Sequence, residues 1–276
     1  MAAAIGDAWG SQGDFQRAVP GKTDAAAELA GGREAMALVR QLATNPMAQP
    51  PQIPVKSPLA AIPLGLWFHD DETGLPATIR QVLGLGVDAL MVGYAIAQIL
   101  QKELELVSFV RQLGQWLSTW EPEHNLQPAL EILDRALQER DPLERVVRNL
   151  AKNSDPHEEA ILTALFCFLS TPDFPDLSIC RAIQHPRQAA LVGAVTGAFA
   201  GASNGVAKLP VKWEMALVET PLEQRWGVDS RETLRRCSVR LLAAWCGISP
   251  ERMEAMAPGE REWTFPAVAA AGKLRA

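Results

Sequence analysis

Four glycines, Gly193, Gly197, Gly201 and Gly205, recur at every fourth position of the stretch QAALVGAVTGAFAGASNGVAK, which runs from Gln188 to Lys208. Residues four apart share one face of a helix, so the repeat predicts a helix with one side bare of side chains. Each glycine lowers helix propensity by about 1 kcal/mol relative to alanine, so four in one segment require compensation. Close approach of a neighbouring helix supplies it, because two backbones can meet where no Cβ intervenes. The stretch therefore predicts a central helix enclosed by others.

The rest of the chain reads the same way. No alternating apolar–polar run of strand length is present, and the class predicted is all-α. Hydrophobic residues make up 48% of the 276 but aromatic ones only 6%, a composition suited to closely packed helices of small residues. The length is enough for a substantial core, read as a single helical domain over residues 1–257 with a weakly ordered tail over 258–276. A net charge of −6 and the lack of any basic run argue against nucleic acid as a partner. Cys167 and Cys246 stand in apolar runs that suggest buried thiols, and no CxxC occurs, which points to a reduced cytoplasmic protein. The N-terminus has neither the basic start nor the long apolar core of a signal peptide. The glycine stretch alone approaches membrane-spanning length, and its Ser, Asn and Gly content argues against a membrane partner.

In chain order, a helix is predicted from Asp24 to Ala43, with a break or a start at Gly31-Gly32, and then a proline-rich loop over residues 46–58. The apolar segment to Phe68 ends at His69-Asp70-Asp71-Glu72, read as a cap for the helix from Leu75 to Leu83. Three consecutive side chains cannot readily converge on one metal ion. Helical patterns follow over Val87–Trp120, with Trp116 and Trp120 as a packing ridge, and over 126–151. Asp155-Pro156-His157-Glu158 predicts a capped start, with Asp155 as N-cap, Pro156 first in the helix and Glu158 as the reciprocal partner. The helix that follows reaches Ser170, and a short one ends near Gln184. His185-Pro186-Arg187 breaks the chain before the glycine helix. Further helices are predicted through Glu219 and over 221–226, 230–246 and 249–256.

From His157 to Trp213 the order of elements resembles the ADP-ribosylglycohydrolase family. The resemblance lies in the EEA…AL…FL helix, the Asp173-Phe174 turn, a short helix, then Gly193 to Gly205 where the family has GAIAGALAGAYYG, with Leu209-Pro210 and Trp213 behind it. Ile62 to Phe68 is similar to the family's APLGL helix, and Gly6-Asp7-Ala8-Trp9-Gly10 to its opening GDALG. The resemblance implies a compact orthogonal multi-helix bundle around two divalent metal ions, which orient the ribose hydroxyls and a water for cleavage of a glycosidic bond to ADP-ribose.

The family's metal motif, GGDTDT, should stand immediately before the glycine helix, and here it does not. Its glycines fall on Pro186 and Arg187, its two aspartates on Gln188 and Ala190, and its final threonine on Leu191. For the Thr-Asp-Asp triplet that would supply the other half, the nearest candidate is Thr23-Asp24-Ala25, one aspartate short. Mg²⁺-type cations require several oxygen ligands, and alanine and leucine offer none. The reading is a family scaffold without catalytic residues, metal or cofactor, acting as a binding or regulatory module. Two alternatives stay open. One is an active hydrolase with a displaced Mg²⁺ or Mn²⁺ site built from Asp7, Asp14, Asp24 or Asp70. The other is a helical scaffold for a protein partner.

Candidate ligand contacts are Arg187, Arg181, Gln188, Asp7 and Asp24. The two arginines flank the start of the glycine helix, where backbone N–H groups and the helix dipole favour anions, so ADP-ribose or another nucleotide could be held there by its phosphates. His69, His124, His157 and His185 all stand in turn-like contexts, which suits capping and surface positions, and no Ser-His-Asp or Cys-His arrangement is found. No Walker-type or dinucleotide-binding glycine loop is present.

Overall fold

The computed structural model describes residues 2–8, 25–84 without 45–56, 86–101, 108–205, 208–210, 213 and 222–249, with only the backbone for 25–30. Every regular element among them is helical. In chain order these are α1 (residues 2–8), α2 (Ala25–Thr44), a 3₁₀ turn (Pro58–Ala60), α3 (Ala61–Trp67), α4 (Gly74–Leu83), α5 (Val87–Gln101), α6 (Phe109–Trp120), α7 (Gln127–Glu139), α8 (Leu143–Leu150), α9 (Pro156–Ser170), α10 (Pro175–Ala182), α11 (Ala189–Asn204), α12 (Leu222–Trp226) and α13 (Arg231–Cys246). The expected helix over 249–256 lies outside the described residues beyond Ser249, as does the tail over 258–276.

Three apolar helices, α5, α9 and α11, pack against one another and form the centre. All three are hydrophobic on nearly every side, which a helix tolerates only when it is enclosed. Around them α3 and α4 cover α5, α7 and α8 cover α9, and α10 covers both α9 and α11, while α2 gathers α12 and α13. The outer helices carry one apolar stripe each: α6, for example, buries Phe109, Val110, Leu113 and Leu117. Trp116 stacks 4.7 Å from Tyr94 and 6.4 Å from Trp120, so the tryptophan pair is packing, as its spacing predicts.

The glycine face of α11 meets α1. A Cβ on Gly193 would lie 2.4 Å from the Gly6 carbonyl oxygen, and one on Gly197 would lie 2.3 Å from that of Ala2. Both distances are far inside carbon–oxygen contact, so the two helices touch backbone to backbone. Gly205 differs from the other three. At φ 71° it ends the helix in an extended conformation that glycine alone adopts readily, with its N–H donating to the Gly201 carbonyl at 2.9 Å, and nothing would meet its Cβ.

Gly31-Gly32 does not break α2, which runs through both. These glycines admit neighbours instead: Ser57 lies against Gly31, and the Arg225 carbonyl and the Trp226 ring lie against Gly32. The expected start of α9 is present in full. Asp155 Oδ1 accepts from the N–H groups of His157 at 2.8 Å and Glu158 at 2.9 Å, and Glu158 Oε2 accepts from Asp155 N–H at 3.1 Å. Asp71 caps α4 by accepting from Gly74 N–H at 2.8 Å. Cys167 is buried as expected, but Cys246 is only half-buried, because it ends α13 on a small satellite cluster with Trp67, Leu241 and Trp245. Among the described residues no helix is long and apolar enough to cross a membrane.

Candidate functional site

The positions where the metal motif would fall span the turn between α10 and α11 and the first turn of α11. That turn is closed by a histidine. His185 Nδ1 accepts from Gln188 N–H at 2.9 Å and Arg187 N–H at 3.3 Å, so this nitrogen carries no proton and the other, Nε2, donates. Its acceptor is Glu159 Oε1, 2.8 Å away on α9, and both side chains are 0% exposed. Arg187 Nη2 reaches Glu159 Oε2 at 3.4 Å, while Gln188 Nε2 donates to the Pro156 carbonyl at 2.6 Å. The starts of α9 and α11 are thus tied together by four neighbouring side chains. A carboxylate taken out of water costs several kcal/mol unless it is paired, and Glu159 is paired with the chain's own donors.

His185 is therefore not at the surface, contrary to the sequence expectation. Pro186 turns the backbone so that the imidazole caps α11 from inside. Nothing local predicts this, since the partner carboxylate is 26 residues away. The remaining motif positions offer no ligand: Ala190 is buried, and Leu191 packs against the core.

Asp7 is buried, 5% exposed, on α1. It faces α12, where Arg225 Nε donates to Oδ2 at 2.7 Å, Arg225 Nη2 donates to Oδ1, and Trp226 Nε1 donates to Oδ2 at 2.8 Å. Both oxygens are engaged by protein donors. Asp70 is exposed at the end of α3, and Asp14 and Asp24 lie outside the described residues.

The two candidate arginines are not brought together. Arg187 is 60% exposed beside Glu159, whereas Arg181 lies over the Phe166 ring, 5.1 Å from its centroid. Glu159 and Phe166 are seven residues apart on α9, which is about 10 Å along the axis.

A second polar cluster joins the starts of α5 and α9. His124 Nε2 lies 2.6 Å from Glu158 Oε1, and His157 Nδ1 lies 4.0 Å from Asp88 Oδ2. Burial pushes the carboxyls of Asp88 and Glu158 above their ordinary range, opposed by backbone hydrogen bonds and by the neighbouring histidines. Sequence reasoning assigned Glu158 to capping alone and passed over Asp88, because the histidines that meet them belong to other segments. Among the described residues no group of three or more His, Cys, Asp or Glu is arranged to hold a metal ion. With neutral residues at the motif positions and Asp7 held by Arg225, the described donor set does not fit a pair of divalent cations.

Compared with known proteins, residues 1–249 match the family model of the ADP-ribosylglycohydrolases. No curated protein and no solved structure gives a significant match.

Proposed function

We propose that this chain, which belongs to the ADP-ribosylglycohydrolase family, has kept the family scaffold without its hydrolytic centre and works as a binding or regulatory module. One observation carries the reading. Ahead of α11, where the family would anchor its cations, the carboxylate present is Glu159, and it is held by His185 and Arg187. The chain's own donors stand in for the metal, and Gln188 and Ala190 supply no charge to attract one.

The ligand class that suits this end of the molecule is ADP-ribose or a related nucleotide. Arg187 is exposed on one side of its contact with Glu159, and it stands at the positive end of a 16-residue helix. The four cysteines, none in a disulfide, support a cytoplasmic setting for that role.

Thermal-shift titrations with Mg²⁺, Mn²⁺ and ADP-ribose, together with metal analysis of the purified protein, test this. ADP-ribose alone should stabilise the fold, by about 2.7 kcal/mol at a hundredfold excess over its dissociation constant, and neither metal should. Restoring Gln188→Asp, Ala190→Asp and Leu191→Thr together should introduce a metal-dependent shift. Stoichiometric metal in the unmodified protein, or release of ADP-ribose from a modified substrate, would overturn the reading in favour of an active hydrolase with a rearranged Mg²⁺ or Mn²⁺ site.

A further inference from the structure

On another part of the molecule, α7 and α10 flank α9 and leave a groove of about 540 Å³ between them. Its apolar lining is Leu137, Phe166 and Leu169. Two cations stand in it. Arg181 comes from α10 over the Phe166 ring, and Arg140 follows the last turn of α7 as its C-cap. Neither forms a salt bridge among the described residues. Arg140 also holds the left-handed cap of α7 at φ 54°, a position that glycine fills without steric cost.

Exposed apolar side chains also lie on the segment that carries Arg181. Leu177, 49% exposed, stands one turn before Arg181 on α10, and Phe174, 58% exposed, precedes that helix. They are two of the three large hydrophobic side chains exposed among the described residues. A small molecule would fill the groove and leave these side chains wet, whereas a longer partner running along α10 covers them too.

We infer that this groove docks an acidic amphipathic helix of a partner protein. A trough between two helices, floored by a third, is the shape that receives such a segment through apolar anchors at i, i+3 or i+4, and i+7. Two arginines without a salt bridge among the described residues, beside an apolar floor in a chain of net charge −6, select for carboxylates on the partner. Asp134, the acidic residue in the lining, is occupied by Gln138 Nε2 at 2.9 Å. Asp173 and Asp176 stand by Phe174 at the start of α10, a turn or more before Arg181 in the chain, so the partner's carboxylates belong with Arg140 and Arg181 rather than with that start. The inference does not depend on nucleotide binding at Arg187.

The test is fluorescence polarisation with two labelled helical peptides that share one leucine face, one carrying glutamates on its polar face and the other lysines. The acidic peptide should bind the full chain, with the basic one about tenfold weaker or more. Arg140→Glu, an exposed substitution with unchanged melting temperature, should reduce that preference to parity, as should Arg181→Glu. Leu177→Ser should weaken the acidic peptide by about tenfold. Equal binding of both peptides, or no response to Arg140→Glu, would overturn the proposal. So would displacement of the peptide by ADP-ribose, which would assign the groove to a small anion, or a dimer in sedimentation that Arg140→Glu disperses, which would assign it to a second copy.

Discussion

Replacing Asp7 by alanine separates its two conceivable roles, a clamp between helices or a ligand for a cation. The side chain is 7% exposed and receives three donors, two from Arg225, whose own side chain is 11% exposed, and one from Trp226. Deleting the carboxylate removes both acceptor oxygens from a nearly enclosed guanidinium, and breaking a buried pair in this way costs about 3–5 kcal/mol. The indole N–H loses its acceptor as well, which by itself costs about 1–3 kcal/mol where water cannot enter. These losses share one carboxylate and do not add fully, so about 4 kcal/mol is expected. In a chain of this size that lowers the melting temperature by about 8–16 °C. Asp7→Asn keeps one acceptor and should fall between the variant and the parent. Arg225→Met in the Asp7→Ala background should regain part of the loss, because the guanidinium that lost those acceptors is gone as well. Circular dichroism melts with and without Mg²⁺ or Mn²⁺ decide the matter. A melting temperature for Asp7→Ala within about 2 °C of the parent, or a deficit seen only when metal is added, would refute the clamp and return Asp7 to the ligand role.

Two further substitutions test the packing and the charge balance. Gly197→Ala should gain about 1 kcal/mol of helix propensity yet lose about 1–3 kcal/mol through the clash with the Ala2 carbonyl, a net destabilisation that urea denaturation will register; a more stable variant would mean that α1 does not seat on α11. Burial raises the Asp88 carboxyl above its ordinary 3.8, against the pull of Ala89 N–H and His157. The folded state therefore holds that proton more tightly than the unfolded state, and the resulting stability is present below 3.8 and lost as pH rises through the raised folded value. Asp88→Asn should match the parent in acid and exceed it at neutral pH, and melting curves that stay parallel across the whole range would contradict this.

How much of this was legible in the chain depends on the reach of each signal. The capping box at Asp155 and Glu158 was readable because its parts lie three residues apart and act within a single turn. The α11 repeat was readable for three of its four glycines. Gly205 follows the same spacing but ends the helix, and periodicity cannot tell a packing glycine from a terminating one. Gly31-Gly32 misled in the opposite direction, since a pair that weakens an isolated helix is retained here by Ser57 and Trp226 pressed against it. His185 stands beside a proline, which suggests a surface turn. Its burial depends on Glu159, and no local pattern joins the two.

The sequence by itself determined the helical class, the one close helix contact that α11 demands, and the chemistry denied to the chain at Gln188, Ala190 and Leu191. Those are facts of side-chain type and short-range spacing, fixed before folding. The tertiary structure alone decided that α1 is the helix that meets the glycines, that Asp7 closes on Arg225 across 218 residues, and that Arg140 and Arg181 share a groove while Arg187 does not. Such pairings are long-range. Their energy comes from burial and partner geometry, which exist only after distant segments have been brought into contact.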